Sequence, residues 1–143
     1  MSRTIVSTAP IGLFGSLAEL LGRILLAVLY LVSGFGKITG YAATVAYMQS
    51  MGVPAWTLPL VIVLELGGAV AITAGWKTRL VALLMAVFTL LAALVFHHDL
   101  QDPTQQVMFL KNLAITGGFL LLVAHGAGRI SLDTRMRRRH HRH

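Results

Sequence analysis

Residues 20–41, LLGRILLAVLYLVSGFGKITGY, place a line of charge inside a run apolar enough to lie in lipid. On a helix advancing 100° per residue, with Arg23 at 0°, Glu19 falls at about −40° and Tyr30 at about −20°. Gly34 falls at about +20° and Lys37 at about −40°. The remaining faces are Leu, Ile, Val and Ala. Hydrocarbon offers these polar groups no hydrogen bond, so the stripe must face protein or water. That requirement asks for a membrane protein with a polar interior.

The rest of the chain supplies the bundle. Only 12% of the 143 residues are charged, against about 25% in soluble domains. Four apolar runs, 13–36, 55–74, 80–96 and 107–124, are each long enough to span or nearly span a bilayer. The expected fold is all-α, a four-transmembrane-helix bundle forming a single membrane domain over residues 1–143. Residues 1–11 read as a short irregular or interfacial lead-in. Glu19 and Arg23 interrupt the first run, so it reads as a span rather than a signal peptide. Between spans one and two, Tyr41, Val45, Met48 and Met51 recur at helical spacing, which predicts a short interfacial helix. Trp56 and Trp76 bracket span two about 30 Å apart on a helix, close to the hydrocarbon thickness.

Net charge is +7, and six arginines lie after the last apolar run. A basic tail over 129–143 that directly follows membrane spans is explained by topology and anionic lipid, so nucleic acid is not an expected partner. Arg3, Lys77, Arg79 and the tail share one side in a four-span topology. The positive-inside rule then places both termini and the tail in the cytoplasm. The chain has no cysteine, hence no disulfide, thiol redox centre or Cys-ligated iron–sulfur cluster.

Two polar clusters could carry chemistry. Glu19 and Arg23 stand at i and i+4, and Arg23 lies about as deep from one membrane face as Glu65 does from the other. An unpaired charge at such depth costs at least about 2.5–3.5 kcal/mol, so an intramembrane ion pair of Arg23 with Glu65, flanked by Glu19, is expected. It would serve either as a structural clamp or as part of a proton or ligand path. The second cluster gathers Lys37, His97, Asp99, Lys111 and Asn112 at the opposite mouth as a candidate ligand-binding site, with His98 beside it. Adjacent histidines on a helix end point about 100° apart, and no third ligand has suitable spacing, so no metal site is expected. His125 reads as an interfacial histidine. Ala82, Ala86 and Ala93, with Gly34, Gly67, Gly68, Gly117 and Gly118, read as small residues that let helices approach closely.

Three segments together resemble the DoxX family: RILLAVLYLVSGFGKITGY at 23–41, LELGGAVAITAGWKTR at 64–79 and FLKNLAITGG at 109–118. The resemblance extends over about residues 23–133. It implies a small four-helix protein of the bacterial inner membrane, with Arg23, Ser33, Gly34, Lys37, Glu65, Gly68, Lys111 and Asn112 at the recurring motif positions. The family takes its name from a subunit associated with an archaeal terminal quinol oxidase. A relative is a subunit of a thiosulfate:quinone oxidoreductase, and some bacterial members are linked with a superoxide dismutase and a sulfurtransferase. The resemblance therefore implies a membrane subunit or anchor in redox or oxidative-stress chemistry, with a quinone or similar amphipathic ligand in the bundle. Expected partners are lipid, a membrane or soluble oxidoreductase and a second copy of the chain. Whether the chain is itself catalytic stays open. A small permease or ion-coupled carrier and a purely structural scaffold are the alternatives.

Overall fold

A computed structural model describes residues 12–141; the lead-in at 1–11 and the last two residues lie outside the described part. The described residues form six helices: α1 (Leu13–Thr39), α2 (Tyr41–Ser50), α3 (Thr57–Ala74), α4 (Thr78–Phe96), α5 (Pro103–His125) and α6 (Leu132–His140). Helices α1, α3, α4 and α5 are long and apolar enough to cross a membrane. The short α2 lies between the first two of these, as expected from its spacing.

The stripe on α1 decides how the bundle closes. Its buried residues are Ser16, Arg23, Ala27, Tyr30 and Gly34, while Leu21, Leu25, Val32 and Phe35 face outward. That face packs along α3, α4 packs along α5, and the two pairs join through α3 and α4. The core cluster holds Ala27, Tyr30, Ala69, Ile72, Ala82, Met85, Ala86 and Phe119. Half of these are alanines, which allow close helix approach where lipid gives no hydrophobic drive to associate. Tyr30 and Phe119 tilt against each other with ring centroids 5.6 Å apart.

The glycines divide. Gly68 is buried against Met85, whose sulfur would lie 2.5 Å from an added Cβ, whereas Gly67 and Gly117 face open space. Only one residue of each Gly-Gly pair therefore meets a neighbour, and Gly118 does so at ordinary contact distance from Leu26. Gly67→Ala and Gly117→Ala are expected to leave stability unchanged or raise it by up to about 1 kcal/mol. Gly68→Leu is expected to cost about 1–3 kcal/mol by overpacking. Equal denaturation midpoints for Gly67→Ala and Gly68→Leu in detergent would contradict this division.

The turn between α3 and α4 is built for a tight reversal. Gly75 takes a left-handed conformation (φ 70), its N–H donates to Ile72 O at 3.2 Å, and Trp76 N–H donates to Ala71 O at 3.0 Å. This pair of bonds is the Schellman closure of a helix C-terminus. Beyond α5 the chain does not trail away as an unstructured basic tail. It folds back, and Asp133 N–H donates to Gly75 O at 2.9 Å. Asp133 Oδ1 and Oδ2 then accept from the N–H groups of Lys77 and Thr78 at 2.7 and 2.9 Å, so a carboxylate caps α4 from the other end of the chain. Lys77 stands in the left-handed region (φ 44). That conformation costs a non-glycine residue about 1–2 kcal/mol, which the two charge-assisted bonds offset.

Candidate functional site

Arg23 and Glu65 are each nearly fully buried, at 1% and 3% exposure, but they do not meet. Arg23 Nη1 donates to Ile72 O and Thr73 O, both at 3.2 Å, and Nη2 donates to Ile130 O. The guanidinium thus closes the C-terminal end of α3, where the helix dipole favours a cation, and holds the returning segment before α6. Glu65 instead pairs with Lys37, whose Nζ lies 3.0 and 3.1 Å from its two oxygens.

The expected Arg23–Glu65 pair fails on register. Equal distances from the helix starts put the two residues level only in helices of matched length, and α1 has 27 residues where α3 has 18. The longer helix overshoots the shorter, so α3 presents Ile72 and Thr73 to Arg23 and presents Glu65 to Ser33, four residues before Lys37. Glu65 is eight residues from Thr73, about 12 Å along the helix. Glu19 remains near the Arg23 end, set against Gly128, with its Oε2 buried and unpartnered among the described residues.

The Lys37–Glu65 pair forms part of the wall of a cleft of about 540 Å³ to which all five of α1–α5 contribute. Ser33 Oγ accepts from Lys37 Nζ at 2.6 Å and donates to Glu65 Oε1 at 3.3 Å, so hydroxyl, ammonium and carboxylate are closed on one another. Across the cleft, Thr89 Oγ1 spends its single proton on Met85 O at 2.6 Å, which makes Tyr30 the donor to Thr89 Oγ1. Asn112 Nδ2 reaches Thr89 O at 3.5 Å, the outer limit of a hydrogen bond. His97 Nδ1 stands 2.7 Å from Gln105 Oε1; an amide oxygen only accepts, so Nδ1 carries the proton. Helix α2 covers one side through buried Met48 and through Tyr47, which stacks on Phe96 with centroids 5.5 Å apart.

Four of the five residues expected at this mouth, Lys37, His97, Lys111 and Asn112, therefore line one cleft. Asp99 does not. It is exposed and accepts from Gln101 N–H at 3.2 Å, closing its own turn. His98 turns to the carbonyl of Val95 at 3.0 Å and is likewise outside. Glu65, Ser33, Tyr30 and Thr89 belong to the cleft and were not assigned to it from sequence. The signal available was the i, i+4 spacing of Ser33 and Lys37 on the buried side of α1. Lys111 lines the cleft without a hydrogen-bond or ion-pair partner among the described residues. Apolar walls, one satisfied ion pair and one exposed cation without a protein partner make the cleft suited to a molecule with an apolar body and an electron-rich polar end.

Comparison with known proteins finds relatives of the inner membrane. The model of the DoxX family matches residues 18–98, more than half of the chain. The chain is 53% identical over 114 residues to the inner membrane protein YqjF of Escherichia coli (strain K12), covering 80% of this chain and 88% of that protein. It is 39% identical over 124 residues to the inner membrane protein YphA of the same organism, covering 81% and 88%. It is 30% identical over 79 residues to the putative oxidoreductase CatD of Bacillus subtilis (strain 168), covering 55% and 58%. No solved structure matches the chain.

Proposed function

The chain belongs to the DoxX family, and on that premise we propose that it is a multi-pass protein of the bacterial inner membrane whose cleft holds a quinone or similar amphipathic ligand. In this reading it is a membrane subunit or anchor in redox or oxidative-stress chemistry. Two relatives carry inner-membrane names and a third is named a putative oxidoreductase. The observation that carries the ligand reading is the unpartnered Lys111 in the cleft wall beside Asn112.

The residues fit a quinone. Its ring carbonyls are acceptors, and Lys111 and Asn112 are donors; the first has no partner and the second has only a long bond. Phe88, Phe96 and Met108 line the cleft and suit the ring and its apolar tail. A bound quinone would supply two-electron, two-proton chemistry. The chain itself contributes position and charge: Lys111 and Asn112 orient the polar end, and Met48 and Tyr47 on α2 shield it from water. The Lys37–Glu65–Ser33 group supplies a fixed, internally neutral wall. With no cysteine in the sequence, electrons would reach the ligand from a partner oxidoreductase.

Both termini face the cytoplasm in this reading, placing the cleft in the outer half of the membrane. A cysteine placed at position 102 should react with an impermeant thiol reagent in intact cells, and one at position 135 should not. The reverse pattern would invert the orientation. Ligand retention tests the main reading. Lys111→Leu removes an unpaired charge and is expected to stay folded, with its thermal midpoint at or above that of the parent. Quinone extracted from the purified variant should fall at least tenfold, the consequence of losing about 1.4 kcal/mol or more from one charge-assisted hydrogen bond. Unchanged quinone content in the folded variant would remove the ligand from this cleft.

A further inference from the structure

Among the described residues, three buried side-chain polar atoms have no hydrogen-bond partner: Glu19 Oε2, Arg23 Nε and Thr78 Oγ1. All three belong to residues lining one of two adjoining cavities at the α6 end of the bundle, opposite the quinone cleft. Arg23 and Thr78 are each 1% exposed. Buried polar groups are almost always satisfied, so orphans gathered at one junction point to a bound molecule, and two of the three, Glu19 Oε2 and Thr78 Oγ1, belong to residues of the cavity nearest α6.

The two cavities differ in character. The first, about 700 Å³, is an apolar groove between α1 and α5, walled by leucines such as Leu25, Leu26 and Leu121 and floored by Gly22 and Gly118. The second, about 720 Å³, lies between the start of α4 and the returning C-terminal segment, and Lys77, Arg79 and Arg137 line it. Glu19, His125 and Gly126 line both, so the groove opens into the basic cleft. Asp133 also lines the cleft, but its oxygens are held by the N-terminus of α4.

We propose that this junction is a binding site for a phospholipid, with one acyl chain in the α1–α5 groove and the phosphate in the Lys77–Arg79–Arg137 cleft. Charge complementarity selects a phosphate-bearing headgroup, and the groove selects a molecule with a long apolar chain. Thr78 lines the cleft with its hydroxyl buried and unpartnered, so a small turn of that side chain would offer a phosphate oxygen a donor. Glu19 Oε2 accepts only, so the headgroup beyond the phosphate carries a hydrogen-bond donor. A glycerol headgroup meets both demands, whereas a choline has no N–H or O–H to offer.

The test adds phosphatidylglycerol or phosphatidylcholine to delipidated protein in detergent and reads bound lipid by native mass spectrometry, with thermal midpoint as a second readout. One phosphatidylglycerol should be retained per chain, at least tenfold more tightly than phosphatidylcholine. Arg79→Gln and Gly22→Leu should each weaken it at least tenfold. Both positions are surface-facing, with nothing within 4 Å of an added Cβ at Gly22, so both variants should remain folded. Glycerol 3-phosphate, the headgroup without chains, should compete poorly. Equal retention of the two lipids, insensitive to Arg79→Gln, would overturn the site in favour of ordinary boundary lipid. Competition by glycerol 3-phosphate as strong as by the lipid, with Gly22→Leu silent, would reduce it to a phosphate cleft. Disulfide-linked dimers from a cysteine at position 22 in detergent would give the groove to a second copy of the chain and overturn the proposal.

Discussion

Arg23→Ala is expected to destabilise the protein by about 3–5 kcal/mol and to release the C-terminal segment from the bundle. The guanidinium is buried and serves three carbonyls, two at the end of α3 and one at Ile130. Removing it leaves those acceptors without a donor in a dry site and takes the cation from the α3 dipole. Arg23→Lys should recover less than half of the loss, because one ammonium cannot span the forked geometry that reaches Ile72 and Ile130 together. Asp133→Asn should loosen the same segment from its other tether. The loss is read by denaturation in detergent, and the release by hydrogen exchange over residues 126–141. An Arg23→Ala protein with parental stability and undiminished protection there would refute the clamp.

The second large effect belongs to the Lys37–Glu65 pair. Lys37→Leu leaves a carboxylate 3% exposed without its cation, an expected loss of about 3–5 kcal/mol. Glu65→Leu leaves the ammonium facing only Ser33; the Lys37 side chain is 25% exposed and can turn outward, so that loss should be smaller. The double variant should recover most of the Lys37→Leu cost, since replacing a buried ion pair with apolar side chains is often nearly neutral. A thermodynamic cycle measures this directly. Additive losses would mean that the two side chains act independently.

These two effects also show where sequence reasoning reached and where it stopped. The α1 stripe was legible because helical periodicity and the cost of charge in hydrocarbon are local facts: Arg23, Tyr30 and Gly34 all lie on the buried face. The four spans and the α2 helix were legible for the same reason. The partner of each charge was not, because partnering depends on how far one helix slides along another. Position along each apolar run sets Arg23 and Glu65 at equal depth, whereas the extra length of α1 sets them about two helical turns apart. Asp133 was invisible for a different reason. Amid arginines it reads as one acid in a basic tail, and its role as a cap exists only once the chain has returned to a helix that starts 55 residues earlier. Lys111 and Asn112 were legible as costly groups in an apolar run, and their convergence with Lys37 and His97 followed from the order of the spans, which sets the C-terminal ends of α1 and α4 beside the first half of α5. Asp99 failed because an aspartate just past a helix end can satisfy itself locally, and it does so with Gln101.

The proposal that the cleft beside the Lys37–Glu65 pair holds an amphipathic ligand by its polar end is open to an experimental density map of the protein purified in native lipid. Elongated density is expected in the cleft, with one end within hydrogen-bond distance of Lys111 Nζ and Asn112 and the remainder among Phe88, Phe96 and Met108. A cleft filled by ordered water, continuous past Glu65 toward Arg23 and the opposite membrane face, would contradict it and identify a path for small solutes instead.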